Sequence, residues 1–432
     1  MRIWDERHET MERGELRGLQ LERLRRTVAT VYERIPFYRE ALGGAGIEPG
    51  DIASLDDVRA LPFTSKDDFR DTYPYGLFAV PLDEVVEVHS SSGTTGKPVV
   101  GGYTKADLDL WSELIARLAT AAGVTQGDVA HISFGYGMFT GGFGLHYGLQ
   151  KIGATVVPHS TGNTQRQLQF MEDFGATVLV ATPSYALHLG EAAAHAGVRG
   201  RLKLRLGLFG AEACSDALRE QIEDRWQISA TDNYGLTEVI GPGVAGECEC
   251  KDGMHIAEDH FLVEVLDPAT GEPVSDGEVG ELVFTSLTKE ASPVLRYRTR
   301  DLSRITRERC ACGRTTARMS KVVGRTDDMF IISGVNVFPS NIESILFRIE
   351  GLEPHYEIVL ERKGALDSFT VRVEVTEEIF NGWMDDLVAF EKRVTEELRS
   401  ALLVRPKVKL VEPGTLARSE GKAQRVIDNR GA

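Results

Sequence analysis

The sequence predicts an α/β protein with two domains. Its large N-terminal domain has mixed, mostly parallel sheets with crossover helices and a small antiparallel β region, and its C-terminal domain is small, mobile and α+β. Short apolar runs alternate with helix-length segments from residue 129 to residue 209, as in βαβ units. After about Gly253 the apolar residues alternate as in antiparallel strands. A further unit begins near Thr326, so we predict domains at 1–325 and 326–432.

The elements of the large domain follow from their apolar spacing. A helix is predicted over 12–42, and a second over 107–122 that ends at Gly123. Ligands of open α/β sheets bind at the carboxyl ends of strands, so the turns that follow the parallel strands are the expected site. The predicted parallel strands are 129–134, 153–157, 176–180 and 204–209, and the antiparallel ones are 261–266 and 280–285.

The small domain is predicted from strand and turn signals. A strand over 329–332 leads into a turn through Gly334 and Asn336. A helix then opens at Pro339-Ser340, where Glu343 would complete a capping box. The remaining predicted elements are strands near 357–361 and 370–375 and a long helix over 383–402.

Charge and hydropathy exclude several classes of partner. The 432 residues carry a formal charge of −16 and a pI near 5.2, which disfavours nucleic acids and anionic membranes as partners. No run of about 18 uncharged apolar residues occurs, and the first residues contain no apolar signal segment. We therefore expect a cytoplasmic enzyme that binds neither nucleic acid nor membrane.

A hydroxyl-rich and glycine-rich loop follows the apolar run 85–88. Glycines let backbone N–H groups converge on an anion, and hydroxyl groups add further donors, so the loop can hold a triphosphate. It is not a Walker A motif, because Ser91 occupies the position that needs glycine. A flexible Ser/Thr-rich loop is the alternative interpretation. The loop consists of Ser90, Ser91, Ser92, Gly93, Thr94, Thr95, Gly96 and Lys97.

Four of the five cysteines form two close pairs about 60 residues apart. Three thiolates and one imidazole make a ligand set for tetrahedral, structural Zn²⁺, and Cys250 is an alternative to Cys248. Semi-buried thiols without a metal are the other interpretation. The predicted zinc ligands are Cys248, His255, Cys310 and Cys312.

Five further segments occur in an order that resembles the adenylate-forming superfamily. They are Leu208–Glu212, Asp232–Glu238, Tyr297–Asp301, Gly324–Asp328 and Gly421-Lys422. Within that superfamily the chain is similar to phenylacetate-CoA ligases and their aryl-acid relatives, especially at 297–302 and 327–339. The resemblance covers most of the chain and implies a two-step reaction. A carboxylic acid attacks the α-phosphate of ATP to form an acyl adenylate, and coenzyme A then displaces AMP.

The resemblance implies a role for each motif. Catalysis would fall to Lys422, which bridges the carboxylate and the α-phosphate during adenylation, to Thr237 at the α-phosphate, and to Glu238 as the Mg²⁺ ligand. Asp327 would be the hinge of a lid that rotates between the two steps. The implied nucleotide contacts are the loop Ser90–Lys97 together with Gly210, Ala211, Glu212, Asn233, Tyr234, Gly235, Asp301 and Arg325.

The acid pocket is expected in a segment where glycines leave room between aromatic side chains. The alternative is a glycine-rich loop whose phenylalanines pack in the core. The phosphate loop begins at residue 90, so the large domain is abbreviated compared with other members of the superfamily, and the resemblance to the phenylacetate-CoA ligase branch implies a homodimer. Two other functions compete with this one. In the first, the protein transfers the adenylate to a carrier-protein thiol or an amine. In the second, it is a non-catalytic, zinc-stabilised nucleotide-binding protein. The predicted pocket residues are Tyr136, Phe139, Gly141, Phe143 and His146.

Overall fold

The structure is a computed structural model that describes residues 1–91, 97–332, 335–363, 366–418 and 423–430. Short 3₁₀ turns occur at Pro49–Asp51, Leu55–Ala60, Leu82–Glu84 and Arg199–Arg201. The α-helices are α1 (Glu6–Glu9), α2 (Arg13–Arg34), α3 (Pro36–Gly44), α4 (Lys66–Asp71), α5 (Lys105–Ala121), α6 (Thr140–Ile152), α7 (Thr164–Asp173), α8 (Pro183–His195), α9 (Asp216–Trp226), α10 (Pro339–Leu346), α11 (Glu377–Phe380) and α12 (Met384–Leu402).

The strands are short in the large domain and longer in the C-terminal part. They are β1 (Glu87–Ser90), β2 (Val100–Tyr103), β3 (Val129–Ile132), β4 (Thr155–Val157), β5 (Val178–Ala181), β6 (Leu206–Gly210), β7 (Ser229–Leu236), β8 (Gly241–Glu247), β9 (Met254–Ile256), β10 (Phe261–Leu266), β11 (Gly280–Ser286), β12 (Tyr297–Ser303), β13 (Ile305–Thr306), β14 (Arg318–Met319), β15 (Gly324–Arg325), β16 (Phe330–Ile332), β17 (Val335–Val337), β18 (Leu352–Lys363), β19 (Leu366–Val375), β20 (Lys407–Val411) and β21 (Val426–Asp428).

A mixed sheet forms the centre of the large domain. Its described strands run in the order β13-β14-β9-β8-β7-β6-β5-β3-β4. The stretch from β4 to β7 is parallel, and β8, β9, β14 and β13 add to it antiparallel. Helices α7, α8 and α9 connect these parallel strands, which confirms the predicted crossovers. The carboxyl ends of β6 and β7 therefore lie side by side.

Smaller antiparallel sheets flank this centre. Strands β10, β11, β12 and β15 form one sheet, and β1 pairs with β2 in a hairpin. The C-terminal part has its own hydrophobic core around a sheet of order β20-β19-β18-β21. The α/β architecture is as predicted, although β20 and β21 were not expected from the sequence.

Two local predictions are wrong. The helix predicted over 12–42 breaks between α2 and α3, because Pro36 has no N–H group and Ile35 before it is extended, with φ −112° and ψ 107°. The predicted capping box at the start of α10 does not form. The Ser340 hydroxyl bonds Val323 O and the Glu343 carboxylate accepts from Tyr356, so both side chains serve tertiary contacts instead.

The alternative interpretation of the acid-pocket segment, a glycine-rich loop, does not match the structure, because α6 begins at Thr140. Its glycines allow α6 to pack closely against α5. A Cβ atom at Gly144 would lie 2.3 Å from the Trp111 ring, and one at Gly148 would lie 2.2 Å from Cβ of Ile115. Close packing of the two helices holds the first turn of α6 next to the β1–β2 hairpin.

Candidate functional site

The β1–β2 hairpin carries the hydroxyl-rich loop at its tip. Ser90 pairs with Val100 at the end of the ladder. The Ser91 hydroxyl accepts from Val99 N at 3.0 Å, and Ser91 N donates to Val99 O at 3.0 Å. Ser91 therefore closes the hairpin, and its O–H group can still donate to an anion because its oxygen acts as the acceptor in this contact. Ser92, Gly93, Thr94, Thr95 and Gly96 lie outside the described residues.

Lys97 returns the chain to β2 on the exposed side of this hairpin. Its Nζ lies 5.4 Å from the ring centroid of Tyr73, within the range of a cation–π contact. The amide of Ser90 donates to Met138 O at 2.8 Å, so the loop is joined to the segment that precedes α6. Ser90 thus joins the described end of the hairpin to the candidate acid pocket, and Lys97 adds a cation on the exposed side.

Thr237 and Glu238 form the turn that connects β7 to β8. A Cβ atom at Gly101 of β2 would lie 3.0 Å from Thr237 O, so the hairpin backbone passes directly over this turn. Glu238 is buried, and burial beside this carboxylate raises the pKa of Tyr297. At Gly235 a Cβ atom would overlap Gly241 O, so only glycine fits where β7 bulges.

Asp301 on β12 is bonded through both carboxylate oxygens. Its Oδ2 accepts from the Tyr234 hydroxyl at 2.6 Å, and its Oδ1 accepts from Arg325 Nη1 at 2.5 Å. Arg325 Nε also donates to Asp327 Oδ1 at 3.0 Å. Burial raises the pKa of Asp301, although Arg325 and Tyr234 act in the opposite direction. Three predicted nucleotide residues and the predicted hinge therefore form one bonded chain.

The carboxyl end of β6 supplies the Gly210–Glu212 motif. Gly210 pairs with Asn233 of β7, and a Cβ atom at Gly210 would lie 2.6 Å from Asn233 O. The Asn233 amide donates to Phe209 O at 2.6 Å, so this side chain ties the two strands together. Ala211 has φ +68°, and this left-handed turn directs the chain toward α8.

Glu212 faces the first turn of α8 and the C-terminal segment. Its Oε2 accepts from Ser184 Oγ at 2.5 Å and from Ser184 N at 3.2 Å. Its Oε1 accepts from Ala423 N. Within the described residues these are the hydrogen bonds of this carboxylate, and its contact with the nucleotide base stays a prediction.

The predicted acid-pocket residues gather around the start of α6. The Tyr136 hydroxyl lies 3.0 Å from His146 Nδ1, and the Tyr136 and Phe143 rings meet edge to face at 5.2 Å. Burial lowers the pKa of His146, which favours the neutral imidazole. A Cβ atom at Gly141 would approach the Phe134 ring to 3.3 Å. Phe139, at the N-cap of α6, is 50 % exposed and lies at the rim of the group.

Sequence reasoning missed a buried polar network behind this pocket. Glu87 Oε1 lies 2.6 Å from His89 Nε2, and Glu87 Oε2 accepts from the Tyr147 hydroxyl at 2.7 Å. The His89 ring packs against Phe143 with centroids 5.4 Å apart. The alternation of Glu87 and His89 on one face of a strand that leads into Ser90 was the available signal.

A second feature that the sequence did not indicate is the buried amino group of Lys289. Its Nζ lies 3.3 Å from the centroid of the Tyr103 ring and has no hydrogen-bond partner within the described residues. Burial lowers the pKa of Lys289 to about 8, against the opposing effect of Asp107 and Glu87. The side chain is a buried cation held by an aromatic face.

The predicted zinc ligands converge. One ligand atom each from Cys248, His255, Cys310 and Cys312 lies within 4.8 Å of the others. The Sγ atoms of Cys248 and Cys310 are 3.8 Å apart, which matches the separation of about 3.8 Å that two Zn–S bonds of about 2.3 Å give in a tetrahedron.

The remaining contacts of the cluster also fit a tetrahedral ion. Cys312 Sγ lies 3.4 Å from His255 Nε2, and His255 Nδ1 lies 3.0 Å from the Thr316 hydroxyl, which can orient the ring. Cys250 points away from the group, with its Sγ 3.5 Å from Met1 Sδ. Cys248 is therefore the fourth member, and Cys214 is buried elsewhere, beside α9.

The C-terminal part contacts the large domain through a cluster of charges on α8 and α9. Glu191 Oε1 lies 2.9 Å from His355 Nε2 and 3.0 Å from Arg225 Nη1, and its Oε2 lies 4.0 Å from Arg418 Nε. The pKa of Glu191 is lowered by these cations, against the effect of burial. Gly334 and Lys422 lie outside the described residues.

Two family models match the chain. The model described as AMP-binding enzyme matches residues 48–288, and the model described as AMP-binding enzyme C-terminal domain matches residues 334–430. Both matched ranges include elements of the candidate site.

Curated relatives match over nearly the full length. A phenylacetate-coenzyme A ligase of Thermus thermophilus is 49% identical, with 98% of each chain covered. One from Pseudomonas putida is also 49% identical, covering 98% of this chain and 96% of its own. One from Escherichia coli is 47% identical, covering 98% of this chain and 97% of its own.

Solved structures of a 2-hydroxyisobutyryl-CoA ligase share the fold at 30% identity, covering 100% of this chain and 93% of theirs. The complex with 2-HIB-AMP in the postadenylation state has a TM-score of 0.94, and the complex in the thioesterification state has 0.74. The overall arrangement of this chain is thus more similar to that of the postadenylation complex than to that of the thioesterification complex. In the described part of the chain, no helix combines the length and apolar character needed to cross a membrane.

Proposed function

The chain belongs to the AMP-binding enzyme family, in its phenylacetate-CoA ligase-like branch, and we propose that it activates an aromatic acid of the phenylacetate or benzoate type. The reaction is an ATP-dependent formation of an acyl adenylate followed by thioester formation with coenzyme A. The names of the relatives that match over their full length support an aryl acid. The aromatic side chains at the start of α6 support it independently.

The observation that carries the proposal is the continuity of the predicted site. Gly101 in the hairpin touches Thr237, the next residue Glu238 neighbours Tyr297, and β12 extends from Tyr297 to Asp301. A nucleotide needs partners for phosphate, sugar and base at the same time. These motifs are far apart in sequence and provide such partners along one edge of the molecule.

We assign the residues as follows. Asp301 would accept hydrogen bonds from the ribose hydroxyls, as a carboxylate does well, with Arg325 beside it. Tyr234 would cover the adenine, and the hairpin tip with Lys97 would hold the outer phosphates. Glu238 would hold Mg²⁺, which offsets the negative charge on the phosphates. Thr237 would donate to the α-phosphate, where the carboxylate of the acid attacks and pyrophosphate leaves.

Lys422 would act in the first step alone. Its ammonium group would lie between two anions, the acid carboxylate and the α-phosphate, and would lower their repulsion in the transition state. Rotation of residues 326–432 about Asp327 would then remove it and admit coenzyme A. The Arg325–Asp327 hydrogen bond joins the ribose contacts to that hinge.

We further propose a structural Zn²⁺ at Cys248, His255, Cys310 and Cys312. Three thiolates and one imidazole fill a tetrahedron and leave no position for substrate, as in structural zinc sites. The ion would join the β8–β9 turn to the loop before β14. The bound ion would also fix the position of Arg314. The guanidinium of Arg314 donates hydrogen bonds to the Glu9 carboxylate and to Arg2 O in the N-terminal segment.

The substrate is tested by acid-dependent exchange of pyrophosphate into ATP across a panel of aromatic and aliphatic acids. The proposal expects exchange with phenylacetate or benzoate derivatives at a kcat/KM at least about tenfold above that with aliphatic acids of equal size. Exchange that is faster with aliphatic acids would refute the aromatic assignment. Exchange in the absence of any acid would refute the role of the protein as an acid ligase.

The acceptor, the oligomeric state and the location are proposed separately. Coenzyme A is the acceptor, and a carrier-protein thiol or an amine is the alternative that an acceptor panel would reveal. A homodimer is expected, and light scattering on the purified protein would measure its mass against the 47.5 kDa chain. A cytoplasmic location is also proposed, and fractionation of cells that express the protein would test it.

A further inference from the structure

Glu212 joins the large domain to the segment that follows Lys422 in the chain. Its Oε1 accepts from the backbone N–H of Ala423, a residue 211 positions later. That N–H belongs to the peptide between residues 422 and 423. A bond to it therefore ties the chain at Ala423, the residue that follows Lys422 in the sequence, to the large domain.

The carboxylate is held in place before the lid reaches it. Its Oε2 is bonded by both the hydroxyl and the amide of Ser184, which lies in the first turn of α8. Ala211 ahead of it has φ +68°, a conformation that costs a non-glycine residue of order 1 kcal/mol and that directs Glu212 toward α8. A strained turn and two donors thus fix the direction in which Oε1 points.

We propose that Glu212 is a positioning residue for adenylation that anchors the Lys422 segment of the lid to the large domain. The inference rests on the proposed role of Lys422 and deepens it. The overall arrangement of this chain is more similar to a postadenylation complex than to a thioesterification complex, and a rotation of the lid between the two steps would separate Ala423 from Glu212. The anchor therefore operates in the first step and is released before the second.

A Glu212 that anchors the lid and a Glu212 that contacts the nucleotide have different consequences for the two steps. A residue that touches the adenine serves both steps, because the adenylate stays bound until coenzyme A attacks it. A residue that anchors the lid in one placement serves only the step that needs that placement. Measurement of the two half-reactions separates the two roles.

The test compares Glu212→Ala with the wild type in both half-reactions. Adenylation is followed as phenylacetate-dependent exchange of pyrophosphate into ATP. Thioester formation is followed from chemically prepared phenylacetyl adenylate and coenzyme A. We expect adenylation to fall about 10- to 100-fold, as loss of a charge-assisted hydrogen bond at a transition state predicts, and thioester formation to stay within about twofold.

Two controls keep the result specific. Glu220→Ala removes a carboxylate from the exposed face of α9 and should change neither half-reaction. Ser184→Ala retains the Glu212 carboxylate and removes one of its restraints, so it should lower adenylation alone and by less than Glu212→Ala. Ser184→Ala also provides the test if Glu212→Ala fails to fold, which a melting curve would reveal.

A double-mutant cycle ties the effect to Lys422. If Glu212 acts by placing Lys422, then Glu212→Ala should cause no further loss of adenylation in a Lys422→Ala background. Equal loss of both half-reactions in Glu212→Ala, or unchanged adenylation, would overturn the inference. Full adenylation activity in Lys422→Ala would instead refute the proposed function of the lysine, and the inference would fall with it.

Discussion

The Tyr234 hydroxyl donates a 2.6 Å hydrogen bond to Oδ2 of Asp301, and the two residues come from different sheets, β7 and β12. The contact joins the central sheet to the antiparallel sheet at the level where the candidate nucleotide site lies. It leaves Oδ1 to Arg325, so the whole carboxylate is oriented by two donors.

Asp301→Asn is expected to raise the KM for ATP by about tenfold or more, because the amide loses the charge that strengthens bonds to ribose hydroxyls. Tyr234→Phe keeps the aromatic ring and should raise the KM for ATP less than Asp301→Asn does. Steady-state kinetics at saturating acid and coenzyme A measure both effects. Equal KM values for Asp301→Asn and the wild type would contradict the ribose assignment.

The same residue predicts a pH dependence of ATP binding. Burial raises the pKa of Asp301 above its ordinary value of 3.8, so the carboxylate takes up a proton at a higher pH than an ordinary aspartate. The KM of the wild type for ATP should therefore rise on the acid side, and Asp301→Asn should lack that rise. The sign for stability is opposite to that of a carboxylate whose pKa is lowered on folding. This ionised group costs stability at neutral pH, and the cost disappears below the unfolded pKa.

The cysteine cluster predicts about one zinc per chain in protein purified without chelators. Cys310→Ser should lose the metal and lower the melting temperature, because the ion joins two distant loops and its binding free energy adds to folding. Cys250→Ser is the matched control and should keep both the zinc and the melting temperature of the wild type, since the Cys250 thiol lies outside the group of four ligands. Elemental analysis that finds less than about half an equivalent in the wild type would contradict the zinc site.

Lys289 predicts a distinctive dependence of stability on pH. The pKa of Lys289 in the folded protein is about 8, below its ordinary value of 10.5. Between pH 8 and 10.5 the folded state therefore binds fewer protons than the unfolded state. The free energy of unfolding should therefore rise, relative to that of Lys289→Met, as the pH increases from 8 to 10. Once Lys289 is neutral in both the folded and the unfolded state, the gain in the free energy of unfolding amounts to about 3 kcal/mol, since one pKa unit is about 1.4 kcal/mol. Parallel urea unfolding curves for both proteins measure the difference, and a constant difference would contradict it.

The parallel strands were predictable because each is an apolar run bounded by turn residues. The run at 204–209 placed the Gly210 motif at a strand end, where the structure has it, whereas no strand was predicted at Tyr234, which lies in β7. The convergence of three cysteines and His255 was predictable from residue type, and the structure brings Cys248 rather than Cys250 into the group. These features depend on local composition, which the sequence displays directly.

Contacts between distant segments were not predictable. Glu191 and His355 are 164 positions apart, and nothing near either residue indicates the other. Glu212 lies two positions after Gly210 in a motif that suggested a base contact, and no local signal indicated its hydrogen bonds to Ser184 of α8 and to Ala423. The break at Pro36 had a local signal, and the apolar periodicity that continues across it concealed that signal.

The most direct test of the account measures both half-reactions of Lys422→Ala in the full chain. The account predicts that phenylacetate-dependent exchange of pyrophosphate into ATP falls by at least about a hundredfold, the scale of losing one preorganised charge contact in a transition state. It also predicts that thioester formation from supplied phenylacetyl adenylate and coenzyme A stays within about twofold of the wild type. Equal loss of the two half-reactions would contradict a lysine that serves adenylation alone.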